Sequence, residues 1–471
     1  MRHYDLCVIG SGPAGQRAAI QAAKLGKSVV VVEKRQTVGG VAVNTGTIPS
    51  KALREAILHV AGRSVAAPRY EDFASAKDAL FSNLMQSCSR VIGAEIDITE
   101  GQFRRNGVEV HHGTASFEDP STITVTHTRG SARVKADKFL IAVGTRPARP
   151  DTIPFDDDNI ITSDQIHTLP AMPRSMIVVG GGVIGTEYAS MLQAVGVKIT
   201  LVEGRPRLLD FVDDEITEAL QFHLRQAGAT LRLGEKVTKI NRIDAIEGAH
   251  TSDGIMAAAV LESGKTIRAD ALLYAIGRQG ATDSLDLANA NLEADHRGRI
   301  AVNGTYQTSQ PHIYAAGDVI GFPALASTSY EQGRIAACHM FGQRYDTVSD
   351  LLPYGIYAVP EISMVGWTEQ KLTEEGIPYE SGTASYKEIA RGQLIGDDIG
   401  MLKLLIHQDT HTVLGVHALG TGATELIHIG QAAIAFNATA EYFVDTVFNY
   451  PTLAEAYKAA AYNALNKLKC F

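Results

Sequence analysis

Residues 4–35 read YDLCVIGSGPAGQRAAIQAAKLGKSVVVVEKR. An apolar run from Leu6 to Ile9 meets Gly10-Ser-Gly12-Pro-Ala-Gly15. An alanine-rich segment then runs to Gly26, and a second apolar run, Val29–Val32, ends at Glu33. Two short apolar runs separated by a glycine turn and a helical stretch predict a βαβ unit. In such a unit Gly10 permits the tight turn, Gly12 lets a pyrophosphate approach the backbone, and Gly15 lets helix and strand pack closely. The helix N-terminus presents free amide donors and the positive end of its dipole to the phosphates. Glu33 closes the second strand, where a carboxylate can accept hydrogen bonds from ribose hydroxyls.

The same pattern is written again in MIVVGGGVIGTEYASMLQAVGVKITLVEGR, residues 176–205. Gly180, Gly182 and Gly185 repeat the fingerprint, Gly196 ends the helix and Glu203 ends the strand. The interval from Gly10 to Glu33 equals that from Gly180 to Glu203, and Gly15 to Gly26 equals Gly185 to Gly196. One G-x-G-x-x-G is a weak signal, because glycine turns between strand and helix are common. Two copies in register, each with its terminal glutamate, predict two dinucleotide sites. At the second, Glu203 is placed to accept from a 2′-hydroxyl, while Arg205 and Arg207 just beyond are placed to meet a 2′-phosphate. That combination suits a site admitting either nicotinamide nucleotide; the alternative is that the arginines are solvated surface charges.

Around these units the chain of 471 residues is long enough for about three domains. Apolar residues make up 45% and charged residues 20%, ordinary for a globular protein. A net charge of −9 with no dense Lys/Arg run argues against nucleic-acid binding, and no apolar stretch is long enough to span a bilayer. Cys7, Cys88, Cys338 and Cys470 show no C-x-x-C or metal-ligand spacing. Scattered thiols and a first strand starting near Tyr4, with no room for a leader, predict a cytoplasmic protein without a metal. FLIAVGTRP (139–147) and LLYAIGRQG (272–280) each end an apolar run at a glycine, Gly144 and Gly277, and bracket the second unit like crossings into and out of an insertion. IYAAGDVIG (313–321) sets Asp318 after a buried strand, ahead of a helix predicted from about Ala326 to Met340. From about Asp350, segments such as MLKLLIHQ and TVLGVHAL predict antiparallel strands, with helices after GTGATE and PTLAEA.

Residues 39–51, GGVAVNTGTIPSK, read as a loop leading out of the first nucleotide unit. Together with the two fingerprints, AAGD at 315–318 and YPTLAEA near the C-terminus, they resemble the flavoprotein disulfide reductase family over nearly the whole chain. The resemblance implies an α/β fold with an α+β C-terminal part, like glutathione reductase. It divides the chain into an FAD domain (1–148), an inserted NAD(P) domain (149–277), a return to the FAD domain (278–347) and a dimerisation domain (348–471). FAD would meet Gly10, Gly12, Gly15, Glu33, Gly40, Ala42, Thr47, Lys51, Gly144, Asp318 and Ala326. NAD(H) and NADP(H) would meet Gly180, Gly182, Gly185, Glu203, Arg205 and Gly277.

The family pattern carries two cysteines in the GG…PSK loop, and this chain has Ala42 and Thr47 in their places. Neither side chain can form a thiolate or a disulfide, so no thiol relay operates there. Tyr450 stands where the family places an acid–base histidine, although Glu455 is kept. A phenol with a pKa near 10 is a poor base around neutrality. Thiol and base are lost together. What the resemblance leaves is Lys51 near the flavin ring with Glu187 as its ion-pair partner, and a direct hydride path between nicotinamide and flavin. GTIPSKALREA and NYPTLAEAY are similar to the soluble pyridine nucleotide transhydrogenases within that family. They imply ping-pong hydride transfer between NADH and NADP⁺ through FAD, in a homodimer. An NAD(P)H oxidase or quinone reductase is the alternative on the same fold, and a flavin-binding interaction protein is a third reading from another class.

Overall fold

The computed structural model describes residues 2–61, 77–246, 249, 251, 253–345 and 347–468. The chain divides into two compact units, each assembled from segments distant in sequence. The first comprises Met1–Ala52, Met85–Ala148 and Gly277–Val348; the second comprises Leu53–Leu84, Arg149–Ile276 and Ser349–Phe471.

In the first unit the central sheet runs Glu109–His112, Val29–Glu33, Arg2–Ile9, Gly130–Ile141, Thr122–His127, Thr114–Asp119. The first four strands are parallel, and Ile313–Ala315 adds a further parallel strand beside Gly130–Ile141. Val29–Glu33 is buried at every residue, as a parallel strand covered on both faces requires. Helix Pro13–Lys24 lies over one face and buries Ala14, Ala18, Ala19 and Ala22. Those small side chains let helix Ala326–Met340 pack closely against it. The latter helix spans the residues that the sequence predicts. The former opens at Pro13, whose missing N–H costs nothing in a first turn.

The GGVAVNTGTIPSK stretch departs from the loop read in its sequence. Helix Gly40–Asn44 and then helix Thr47–Val60 take up most of it, leaving only Thr45 and Gly46 between them. The Pro-Ser pair that suggests a turn sits inside the first turns of the second helix, where proline is tolerated.

In the second unit a parallel sheet runs Thr230–Leu233, Lys198–Glu203, Ser175–Val179, Ala271–Tyr274, Ile160–Ile161. An antiparallel ribbon of Val237–Asp244, Ile255–Leu261 and Thr266–Ala269 joins its core. The remaining sheet is antiparallel, ordered Tyr354–Ile356, Ile362–Gly366, Val413–Leu419, Met401–His407, Tyr379–Ser385. Helices Ala423–Ala435 and Glu455–Leu468 bury an apolar cluster against it that includes Leu404, Val416, Phe443 and Tyr457. Among the described residues no helix is long and apolar enough to cross a membrane.

Candidate functional site

At the first glycine turn the three glycines answer to three different demands. Gly10 has φ +106°, and a Cβ there would lie 2.4 Å from the carbonyl oxygen of Ala142. A Cβ on Gly15 would lie 1.9 Å from the Gly10 oxygen, so any side chain would push the helix off its strand. Gly12 is different. Its φ of −66° suits any residue, and a Cβ would meet only Gly40 Cα, at 3.9 Å. Neither backbone strain nor packing calls for glycine at 12, so the open space above it is free for a ligand that needs close backbone approach.

Glu33 is buried and fastens this turn. Its Oε2 accepts from Ser11 N (3.1 Å) and Ser11 Oγ (2.6 Å), and its Oε1 accepts from Arg35 N (2.9 Å). Ser11 Oγ also accepts from Gly39 N at 2.9 Å. A carboxylate offers about four lone-pair positions, so one acceptor site remains for a ribose hydroxyl. Gly40, with φ +59°, packs on the turn: a Cβ there would be 2.8 Å from Gly12 Cα. Ala42 lies half-buried in the helix that begins there, Thr47 opens the next helix exposed, and Lys51 is half-buried one turn on. After the strands Gly130–Ile141 and Ile313–Ala315, Thr145 Oγ1 reaches Asp318 Oδ2 at 3.4 Å and accepts from Arg278 Nε at 2.8 Å. Gly144 takes φ +64°, its carbonyl accepting from Ala281 N, and Ala326 begins the long helix after Asp318. Gly277 is the first residue of the segment Gly277–Val348 of this unit, and its carbonyl accepts from Ala148 N.

The second turn repeats the geometry within the second unit. Gly180 has φ +111°, and a Cβ on Gly185 would lie 1.9 Å from the Gly180 oxygen. Gly182 has φ −76°, and a Cβ there would find nothing within 4 Å. The cradle over Gly182 is thus open space, bounded by the start of helix Val183–Ala194. Glu203 Oε2 accepts from Gly181 N (2.6 Å) and Oε1 from Arg205 N (2.8 Å). The Arg205 guanidinium bonds both Glu203 oxygens at 3.1 Å and reaches Asp210 at 2.5 Å. Burial pushes the Glu203 carboxyl up, but bonds from the Arg205 side chain, Arg205 N and Gly181 N outweigh it and hold it below the carboxylate range. Arg207 is ion-paired with Asp214. The two arginines that the sequence places near a 2′-phosphate are thus both paired with carboxylates.

Residues 4–333 match the family model described as pyridine nucleotide-disulphide oxidoreductase, and residues 352–461 match that family's dimerisation domain. The chain belongs to the pyridine nucleotide-disulphide oxidoreductase family. It is 51% identical over 475 residues to a soluble pyridine nucleotide transhydrogenase of Mycobacterium bovis, covering 100% of this chain and 98% of that one. It is 44% identical to a protein of the same name from a Marinomonas strain, covering 99% of each. Among solved structures it is similar to the HOCl-induced flavoprotein disulfide reductase RclA of Escherichia coli, with TM-score 0.87, 25% identity and coverage of 98% and 99%. LpdA of Mycobacterium tuberculosis shares the fold at TM-score 0.85 and 24% identity, with coverage of 98% of this chain and 99% of that one.

Positions 42 and 47 of this pyridine nucleotide-disulphide oxidoreductase carry no sulfur. Cys7, Cys88 and Cys338 are buried and free. Burial pushes the Cys88 thiol up to about 11 and the Cys7 thiol higher still, so neither is ionised near neutrality. Cys470 lies outside the described residues. Tyr450 is 70% exposed, and Glu455 opens the last helix with its Oε2 buried and unbonded among the described residues. Glu187 is buried on helix Val183–Ala194, and its Oε1 accepts from Tyr357 N at 2.8 Å. Lys51 lies in the first unit and Glu187 in the second.

Two buried ion groups escaped the sequence reading. Arg54 pairs with Glu361 at 2.9 Å and donates to Ala358 O at 3.0 Å, with the side chains of the pair each 6% exposed. Lys403, wholly buried, bonds Asp213 (2.8 Å), Glu215 (2.9 Å) and Glu369. The signal for the second was present in MLKLLIH, a strand apolar enough to be buried that nonetheless holds a lysine. A charge in such a strand requires a partner, although the sequence does not say which.

Proposed function

We propose that this protein transfers hydride between NADH and NADP⁺, or NADPH and NAD⁺, through FAD in a ping-pong cycle without a redox disulfide. The observation that carries the reading is the pair of open cradles over Gly12 and Gly182, each beside a glutamate-locked turn, in a chain with no sulfur at positions 42 and 47. Identity of 44% and 51% over the full length to proteins named for this activity supports it.

In this account FAD belongs to the domain of residues 1–148 and 278–347, and the nicotinamide nucleotides to that of residues 149–277. The segment 348–471 carries the dimer interface. FAD held there would supply the two-electron chemistry that links the two nucleotides. The protein contributes position and charge. The amides after Gly12 and Gly182 cradle the pyrophosphates, and Glu33 and Glu203 take ribose hydroxyls. Gly40, Ala42 and Thr47 floor the flavin site, while Gly144, Asp318 and Ala326 line its far side. Lys51 is the cation at the flavin ring, and Glu187 is a catalytic carboxylate on helix Val183–Ala194. Buried free thiols fit a reducing compartment, and we place the protein in the cytoplasm.

The half-reactions test this reading. Under anaerobic conditions NADH or NADPH is expected to bleach the flavin, and either oxidised nucleotide is expected to restore its absorbance. Lys51→Met is expected to slow the bleaching by about 10–100-fold with a much smaller change in nucleotide affinity. Absorbance restored only by a quinone or by oxygen would make the protein an NAD(P)H oxidase or quinone reductase.

A further inference from the structure

The segment from Glu203 to Asp214 carries the residues that meet the 2′ position, and its charges are matched in a particular way. Arg205 lies between Glu203 and Asp210, and Arg207 lies on Asp214. Asp213, the remaining acid, is committed to Lys403. Two guanidiniums thus face three carboxylates, so the segment keeps no spare positive charge. A 2′-phosphate brings about −1.5 to −2 at neutral pH, as phosphate monoesters do. It must draw both Arg205 and Arg207 away from acids that already hold them, whereas a bare ribose asks only that the Arg205 guanidinium yield one of the Glu203 acceptor positions it fills beside Gly181 N and Arg205 N.

We propose that Asp210 and Asp214 are specificity-determining residues: by keeping Arg205 and Arg207 ion-paired, they keep the site from selecting NADP(H) over NAD(H). The inference rests on the two-nucleotide reading above. The pairs suit the task because they are reversible. The side chains of Arg205 and Asp210 are 42% and 49% exposed, and ion pairs so open to water are weak and readily exchanged. Glu203, 9% exposed at its side chain, stays fixed by Gly181 N and serves both nucleotides in turn. An enzyme that must bind one nucleotide, release it and bind the other at one site gains from a phosphate subsite that pulls only moderately.

Asp210 is the cleaner of the two to change. Asp214 also accepts from Gln370 Nε2 and begins helix Asp214–Gln226, where an acid favours the helix itself. The test uses flavin-loaded wild type, Asp210→Asn and Asp210→Glu at low ionic strength, with bleaching by NADH and NADPH measured separately. Asp210→Asn is expected to raise the kcat/KM ratio of NADPH to NADH by about 5–10-fold, mainly through a lower KM for NADPH. Asp210→Glu, which keeps the charge, is expected to stay near wild type, and salt is expected to shrink the difference. An unchanged ratio, or one shifted toward NADH, overturns the inference while wild-type bleaching by both nucleotides leaves the transhydrogenase reading standing. A wild-type flavin that NADPH never bleaches overturns both.

Discussion

Gly182→Val is expected to abolish reduction of the flavin by NADH and by NADPH alike, lowering kcat/KM for each by at least about 100-fold, while FAD stays bound. Neither backbone strain nor packing calls for glycine at position 182. Its φ of −76° accommodates valine, and a Cβ there meets no atom within 4 Å. A branched side chain would therefore fit the protein and fill the cradle over the helix start. Holding the pyrophosphate away from the backbone amides forfeits hydrogen bonds to a charged group, worth about 1.5–3 kcal/mol each. Two such losses amount to about 100-fold or more in binding. The cost to folding stays small, about 1 kcal/mol or less for glycine replaced at a helix N-cap. Parallel loss with both nucleotides, at unchanged flavin content, places donor and acceptor at one site. Loss of one nucleotide alone would show separate sites, and loss of FAD would show that the substitution had damaged the fold.

Lys403→Met is expected to destabilise the protein by about 3–5 kcal/mol, read from denaturant unfolding of the holoenzyme. The ammonium is wholly buried, as is its partner Asp213, so methionine would leave Asp213 buried without its lysine, held by the Glu215 and Glu369 amides. Burial works against the Lys403 ammonium, and its bonds to Asp213 and Glu369 outweigh that, raising its pKa. Asp213 is pushed up by burial but held low overall by His417, Lys403 and the Glu369 amide. The signs fix the pH window. A lowered carboxylate contributes stability above its unfolded value of about 3.9 and loses it as pH falls through the folded value. A raised lysine contributes below about 10.4 and loses it as pH rises through the folded value. The gap between wild type and Lys403→Met is therefore expected to be flat from about pH 7 to 9, above the ordinary histidine value of about 6.5, and to narrow at lower pH where His417 can take up charge beside Asp213. A gap that closed near neutrality would show that the cluster is not held by these charges. A loss under about 1 kcal/mol would show that Asp213 finds other partners.

The nucleotide-binding frame was legible because its signals are local. Gly10, Gly12 and Gly15 with Glu33, and their counterparts at Gly180, Gly182, Gly185 and Glu203, act within one turn and two strands, so spacing alone carries them. Strand-rich runs such as Val29–Val32 and the pair MLKLLIHQ and TVLGVHAL were legible for the same reason. The residues the sequence hid are those whose partners come from far along the chain. Arg54 finds Glu361, and Lys403 in one sheet finds Asp213 beside the start of a helix; nothing in the intervening residues announces either pairing. Arg205 and Arg207 were visible as cations near Glu203, but their neutralisation by Asp210 and Asp214 depends on how the segment folds back on itself. The GGVAVNTGTIPSK stretch reads as a loop because its glycines and proline outweigh the helical propensity of the adjoining ALREAIL. In the fold those residues continue a helix that begins at Thr47.

The most direct measurement is an anaerobic steady-state assay of flavin-loaded protein pretreated with N-ethylmaleimide, with NADH as donor and thio-NADP⁺ as acceptor. Hydride transfer without a thiol is expected to give the reduced thio-nucleotide at the untreated rate, with parallel double-reciprocal lines as NADH and acceptor are varied. Loss of transfer on alkylation, or bleached flavin that passes nothing to the thio-nucleotide, would contradict it.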